Sequence, residues 1–559
     1  MEKSSYLSAF DEAAIKNAEL VRKSYDKEIP EKIEYDDKPC KWWFNHWAEL
    51  YPEKPYVALG DLKLPYAYCN DVARRLANAF LSLGIHKGDR IAIMSPNVPQ
   101  YLLAMHACWK IGAIEVPENP LYTVPELTGQ SNDSGTETVV VMAAFAQKAI
   151  AMLQDPDCCV KRVIAFQLPS GKVELPQVDG LYDFNELVER NPNTEPDIEI
   201  NMEDPIRLQY TGGTTGVPKG CVLTNKMVYT MGLRTAIWTT RNFTMVPRDQ
   251  IVTLAAIPLN HVYGFNANVG IALSGGGTII VVPQPKPEAL LAEIIKNKPN
   301  IFAAVPAMFI GLLNTPEVKA GTADLSSLKG IFSGSAPCPT AVMEELEKLT
   351  GATIVEGYGM SETSNILTIN PMDIRKAGSV GVAVPDTDII VVDAADGETV
   401  VPYGETGELI CRGPQVMTQY WNKPEDTAAN IKNGWLYTAD IVMMDEDGFI
   451  TIMDRKKDMI IVNGFNVFPR EIDEAMFANP KVKEACAIGV KHPTKGEAPV
   501  LYTVLKEGET MDADEIEKYL RQSLAPYKIP VDYRFIDEIP RTSVGKADRK
   551  ALAAMYAAE

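Results

Sequence analysis

Between residues 70 and 166 the chain alternates between two hydrophobic periods. "NDVARRLANAFLSLG" carries apolar residues at helical spacing and stops at Gly84, and "RIAIMS" is a short continuous apolar run. The pair repeats: "NVPQYLLAMHACWKIG" stops at Gly112 before "AIEVP", "VPELTGQSNDSG" precedes "TVVVM", and "AAFAQKAIAML" precedes "VIAF". Helices that stop at glycine, followed by short apolar strands, predict βαβ units on a parallel sheet. A second alternating block runs from Arg207 to about Gly359, with "IRLQY", "TIIVV", "IFAAV", "GIFSG" and "TIVEG" as strands. Two such blocks predict two doubly wound halves whose ligands sit at the carboxyl ends of strands.

From Thr387 to Ile452 the pattern changes to short strands and turns, a small β unit ("DIIVVDAADGETVV", "GELICRG"). After Lys457 comes an α+β segment of about a hundred residues, a common domain size. The expected class is therefore α/β. Residues 1–456 form a large N-terminal domain of two doubly wound halves plus the β unit, and residues 457–559 a mobile α+β C-terminal domain.

Composition narrows the function. A chain of 559 residues is too long for one core. Its 54 basic and 74 acidic residues give a net charge of −20, which disfavours nucleic acid, because phosphate-backbone binding needs a basic face. No apolar run reaches the ~18 residues of a spanning helix. The start, "MEKSSYLSAFDEAAIKNAEL", lacks an apolar targeting core, so no signal peptide is expected. The nine cysteines show no CxxC spacing and read as reduced thiols; five scattered histidines argue against a histidine metal cluster. A cytoplasmic location is expected. A homodimer and peripheral contact with a membrane surface are compatible with these features.

The densest candidate chemistry is "LQYTGGTTGVPKG", Leu208 to Gly220, directly after the strand "IRLQY". Glycines let backbone N–H groups approach an anion closely, and Thr211, Thr214, Thr215 and Lys219 add donors suited to a polyphosphate. It is not a Walker loop, because Pro218 and Gly220 flank the lysine where a helix would have to begin. "YGMSET" puts Tyr358 where it can stack on a base and Glu362 where it can hold a hard cation. "GWLYTADI" delivers Asp440 on a turn, "DRKKDMIIVNGFNVFPREID" joins a charged turn to Asn463-Gly464, and "PRTSVGKADRK" places Lys546 on a loop. Taken singly, each is more often a solvated turn or charge run, and His261 alone is more often a satisfied buried histidine. No nucleophile–histidine–carboxylate arrangement presents itself.

Together and in this order, these motifs resemble the adenylate-forming enzymes: acyl-CoA synthetases, peptide-synthetase adenylation domains and luciferases. The resemblance runs from about residue 45 to the end. Inside the family, "NPLYTVPELTGQSNDSG", the Gly212-Gly213 pair and "DRKKDMIIVNGFNVFP" are most similar to bacterial fatty-acid–CoA ligases. Departures are Gly212, where many relatives have serine, Ser361 for threonine, Ala439 for glycine, and Asn260 before His261.

The resemblance implies ATP and CoA as co-substrates, with Mg²⁺. It assigns Thr211, Gly212, Gly213, Thr214, Thr215, Gly216 and Lys219 to the phosphate cradle, and Glu362 with Thr214 to the metal. Glu356, Gly357, Tyr358, Gly359 and Ser361 belong to the adenine stretch, and Gly334, Ser335 and Ala336 wall the adenine and acyl pockets. Asp440 and Arg455 contact ribose. Lys546, Glu362 and His261 form the catalytic set, with Lys546 bridging carboxylate and α-phosphate. Lys457 is the hinge, and Gly464 lines the pantetheine tunnel. His261, Tyr263, Gly264 and Phe265 border the acyl pocket, with Trp238 nearby. The implied acid is a medium- to long-chain fatty acid, with an aromatic or alicyclic carboxylate as runner-up. Asn266 after Phe265 and the absence of a following carrier domain argue against amino-acid activation. A catalytically inactive ATP- or acyl-CoA-binding protein is the alternative of another class.

Overall fold

The computed structural model describes residues 2–168, 171, 173–211, 218–463, 465–541 and 547–558. Two large sheets dominate it. The first has seven strands in the order Leu181–Asp183, Arg162–Phe166, Thr138–Met142, Arg90–Met94, Ile114–Glu118, Pro205–Tyr210, Gly220–Thr224. All neighbours are parallel except the last pair, which is antiparallel. Glycines end the intervening helices as the pattern predicts: Gly112 sits at φ 69°, the left-handed conformation that costs glycine least, and its N–H bonds back onto the helix Pro99–Ile111.

One strand departs from the sequence reading. "IRLQY" was expected to open the second half, but Pro205–Tyr210 belongs to the first sheet. There Arg207 pairs in register with Glu115, and the chain turns back through the glycine-rich loop into the edge strand Gly220–Thr224. Both described ends of the loop, Tyr210 and Gly220, thus belong to the first sheet.

The second sheet has nine strands, in the order Val382–Ala383, Asn365–Ile369, Ile354–Met360, Gly330–Ser333, Ile301–Ala304, Val252–Ala255, Thr278–Val281, Pro55–Leu59, Leu62–Pro65. Its centre is parallel, and Thr278–Val281, Ile301–Ala304 and Gly330–Ser333 are buried at every position, as continuous apolar strands covered on both faces should be. Pro55–Leu59 reaches this sheet from before the first block, pairing Val57 and Ala58 with Ile279 and Ile280.

The predicted β unit is a five-stranded antiparallel sheet that includes Trp435–Met444 and Ile450–Arg455. The helix Glu2–Arg22 lies against it: Phe10 meets Trp435 edge-on at 5.9 Å, and Arg412 spans Asp11 and Asp388 at 2.8 and 2.7 Å. From Ile460 onward a separate five-stranded sheet packs with the helices Pro469–Phe477, Ala513–Leu520 and Arg549–Ala558 around its own apolar clusters. All nine cysteines are free. Among the described residues no helix is long and apolar enough to cross a membrane.

Candidate active site

The carboxyl ends of strands from both sheets meet the segment 419–427 and the strand Trp435–Met444 of the β unit. Tyr210 ends its strand with its ring against Gly220, where a Cβ would lie 3.2 Å from the ring. Thr211 closes the neck of the loop: its N–H donates to the Lys219 carbonyl at 2.9 Å, and its Oγ1 accepts from the Lys219 N–H at 3.3 Å. Gly212, Gly213, Thr214, Thr215 and Gly216 lie outside the described residues. Lys219 is described, and its ammonium pairs with Asp426 and sits 5.3 Å from the Tyr420 ring centre. The segment 419–427 is fastened beside the loop: the Trp421 N–H donates to the Gly220 carbonyl at 2.8 Å, and Lys423 reaches Asp133 at 2.6 Å.

In the second sheet, the strand Ile354–Met360 runs into the turn Ser361–Thr363. Gly359 is required sterically, since a Cβ there would lie 1.4 Å from the Asn365 carbonyl oxygen. Glu356 ties the neighbouring strand end down: its Oε1 accepts from the Cys338 N–H at 2.8 Å, and burial raises its pKa. The turn it secures holds Gly334, with Ser335 at φ 68° and Ser335 and Ala336 exposed. Glu362 is 9% exposed and accepts from the Tyr420 hydroxyl at 2.8 Å; burial pushes its carboxyl above the usual range.

The Tyr358 hydroxyl donates to Asp440, and Arg455 pairs with the other carboxylate oxygen of Asp440 at 2.6 Å. Asp440 and Arg455 are cross-strand neighbours, so the β unit's own register makes the pair. Ala439 just before them sits at φ 57°, a left-handed conformation that glycine adopts at less cost. Lys457 lies in the turn after Arg455, exposed, where the chain leaves the β unit. Gly464 and Lys546 lie outside the described residues. Beside the first, Phe465 stacks on Tyr527 at 4.8 Å; Arg541 and Ala547 form a bridge on either side of the second.

The four acyl-pocket candidates do not point one way. His261 caps the short helix Val262–Phe265, its Nδ1 accepting from the Tyr263 N–H at 3.3 Å. Tyr263 turns toward Gly334, its hydroxyl donating to the Phe332 and Ala304 carbonyls at 3.2 and 3.3 Å. Gly264 passes so close to the backbone that a Cβ would lie 2.2 Å from the Pro258 oxygen. Phe265 turns into the first half, fully buried, edge-on to Trp109. Trp238 is buried elsewhere on its helix, with Nε1 donating to the Asn370 carbonyl at 3.1 Å and the ring against Tyr25.

Sequence reasoning missed Asp133, Tyr420, Lys423 and Asp426, which come together only through the β unit's approach to the loop. It also missed Glu115, Glu118 and Arg207. Their signal was present: charges inside the apolar runs "AIEVPE" and "IRLQY".

Tyr358, Asp440 and Arg455 thus form one bonded set, and Tyr420 joins Glu362 to Lys219. The chain belongs to the AMP-binding enzyme family, which matches residues 44–421, with the family's C-terminal domain matching 471–546. It is 35% identical over 551 residues to a long-chain-fatty-acid–CoA ligase of Bacillus subtilis, covering 94% of this chain and 96% of that protein. Among solved structures it is similar to a Mycobacterium tuberculosis fatty acyl CoA synthetase (29% identical, TM-score 0.74, 94% of this chain and 99% of that one). It is also similar to the O-succinylbenzoate coenzyme A synthetase of Bacillus subtilis solved with ATP and magnesium ion (27% identical, TM-score 0.78, 93% and 100%).

Proposed function

We propose that this protein is an ATP-dependent, AMP-forming acid–CoA ligase acting on medium- to long-chain fatty acids. The observation that carries the proposal is the trio Tyr358, Asp440 and Arg455, made by three separated motifs, with Tyr420 linking Glu362 to Lys219. The acid follows from the likeness to the long-chain-fatty-acid–CoA ligase.

The chemistry asks little of a nucleophile. A carboxylate oxygen of the acid attacks the α-phosphorus of ATP, the bond to the β-phosphate oxygen breaks, and pyrophosphate leaves. The CoA sulfur then attacks the acyl carbonyl of the mixed anhydride, AMP departs, and the thiol proton is lost to solvent. The chain contributes position and charge. Tyr358 receives adenine, Asp440 the ribose hydroxyls, and Lys219 the departing phosphates. Lys546 is assigned to the reacting carboxylate and α-phosphate, Gly464 to the pantetheine arm, and Lys457 to the turn of the small domain between steps.

Among the described residues no cluster of three or more histidine, cysteine, aspartate or glutamate side chains would hold an ion alone. The buried carboxylate of Glu362 is the donor type for Mg²⁺, which commonly takes one or two carboxylates plus substrate phosphates. Glu362 would hold it, with Thr214, and the ion would offset phosphate charge. An aromatic acid is the second reading, favoured by the likeness to a feruloyl-CoA synthase of Amycolatopsis (32% identical over 510 residues). A cytosolic enzyme is part of the proposal.

The test is product analysis with a panel of straight-chain, aromatic and alicyclic acids in the presence of CoA. AMP and pyrophosphate in equal amounts, greatest with long straight chains, are expected. ADP as the stoichiometric product would refute the reaction, and no turnover with any acid would favour a binding protein.

A further inference from the structure

Two parallel strands deep in the first sheet carry opposite charges where apolar residues belong. Glu115 and Arg207 are cross-strand partners, and neither side chain has any solvent exposure. Arg207 Nη1 donates to Glu115 Oε1 at 2.8 Å, Nη2 to the Leu259 carbonyl at 2.9 Å, and Nε to Gln209 Oε1 at 2.9 Å. Glu115 Oε1 also accepts from the Tyr101 hydroxyl at 2.7 Å, while Oε2 has no hydrogen-bond partner among the described residues. A buried ion pair of this sort is often no more stabilising than apolar residues of the same volume. Its retention therefore asks what the geometry does.

The guanidinium uses its edge for those three acceptors and its face for Phe265, whose ring centre lies 4.1 Å from Cζ. Planar Arg is suited to this division, with hydrogen bonds in the plane and an aromatic ring against the flat side. Trp109 meets the same Phe265 ring edge-on at 6.2 Å. The Leu259 carbonyl that Arg207 holds lies two residues before His261, and Asn97 of the first half fixes the Leu259 N–H at 2.8 Å. So the first half grips the second half's segment 259–265 at its turn and at its aromatic ring.

We propose that Arg207, oriented by Glu115, is a specificity-determining positioning residue: it clamps the Phe265 ring and thereby sets which acids the acyl site accepts. The inference rests on the reading of residues 261–265 as the acyl border. Among the described residues, the partners of Arg207 are Glu115, Gln209, the Leu259 carbonyl and the Phe265 ring, and none of them is Tyr358, Asp440 or Arg455. Removal of the clamp should alter the ranking of acids and leave the KM for ATP alone.

Removing one partner would strand the other charge in the core, so the informative variant is the double Arg207→Leu/Glu115→Leu. Arg207→Lys keeps the charge but loses the flat face, and it carries the test if the double variant does not fold. The readout is kcat/KM in ATP–pyrophosphate exchange across straight-chain and aromatic acids. Releasing the ring should change the long-to-short or aromatic-to-straight preference by about tenfold, the scale of one or two methylenes of pocket shape. The same changes made on a Phe265→Leu background should shift the ranking no further, because the clamped ring is gone. A uniform loss over all acids, a wild-type ranking, or an equal shift on the Phe265→Leu background would overturn the clamp. If Phe265→Leu alone leaves the ranking untouched, the acyl border is misplaced and the underlying reading fails first.

Discussion

Glu118 ends the strand Ile114–Glu118 with its carboxyl fully buried. One oxygen accepts from the Ser131 hydroxyl at 2.8 Å, and the other has no hydrogen-bond partner among the described residues. Burial with so little compensation raises its pKa from 4.5 to about 8, so at neutral pH the folded protein holds the proton. Below about pH 4.5 folded and unfolded chains both carry it, and the group's contribution is constant. Between there and about pH 8 the unfolded chain releases a proton that the native one keeps. The native state then binds more protons, and stability falls by about 1.4 kcal/mol per pH unit, to a bound of ~5 kcal/mol. Glu118→Gln keeps the shape and an acceptor for Ser131 but cannot ionise in either state. The variant should therefore gain on the wild type as pH rises, by about 3 kcal/mol between pH 5 and 7.5. Urea unfolding followed by tryptophan fluorescence measures this in the right domain, because all seven tryptophans lie before residue 457. Taking the difference between proteins at each pH cancels every other titrating group. Parallel stability curves for the two proteins would refute the argument, since they would mean Glu118 ionises normally inside the fold.

Asp426→Asn should lower the KM for ATP by up to about fivefold, because the phosphates would no longer compete with a carboxylate for Lys219; the pair is partly solvated and worth ~1 kcal/mol or less. An unchanged KM would show that the ion pair is not displaced on binding. Gly359→Ala should lose both acid-dependent pyrophosphate exchange and at least ~1–3 kcal/mol of stability, as the Asn365 carbonyl leaves no room for a methyl group; a wild-type urea midpoint would contradict that contact. Lys546→Ala should stop pyrophosphate exchange yet spare thioester formation from supplied acyl-adenylate and CoA, and Gly464→Leu should do the reverse. Equal loss of both steps in both variants would exclude a division of labour within the small domain.

Much of the fold was legible because its parallel strands are covered on both faces and therefore appear as unbroken apolar runs between glycine-terminated helices. What was not legible was which sheet a strand joins. "IRLQY" carries nothing that says which sheet it joins, and the pairing of Arg207 with Glu115 places it in the first. Pro55–Leu59 escaped for the same reason: a short run near the start gives no hint that it will pair with Thr278–Val281 far along the chain.

The site divides along a similar line. Tyr358, Glu362, Asp440 and Arg455 were candidates because each stands in a motif whose local wording is informative, and the fold brings Tyr358, Asp440 and Arg455 into contact. Asp426, Tyr420 and Asp133 carry no such wording; they matter through distant partners, across 207 residues for Lys219 and Asp426. Glu115, Glu118 and Arg207 are the intermediate case. A charge in a central apolar strand is costly unless the surroundings answer it, so each was a visible violation of the pattern whose answer lay elsewhere. For Arg207 the answer is Glu115 on the adjoining strand and Phe265 in the other half; for Glu118 it is a retained proton. Local patterning therefore marks where the chain spends stability, and only the tertiary structure shows that Arg207, held by Glu115, lies on the seam between the halves, behind residues 259–265.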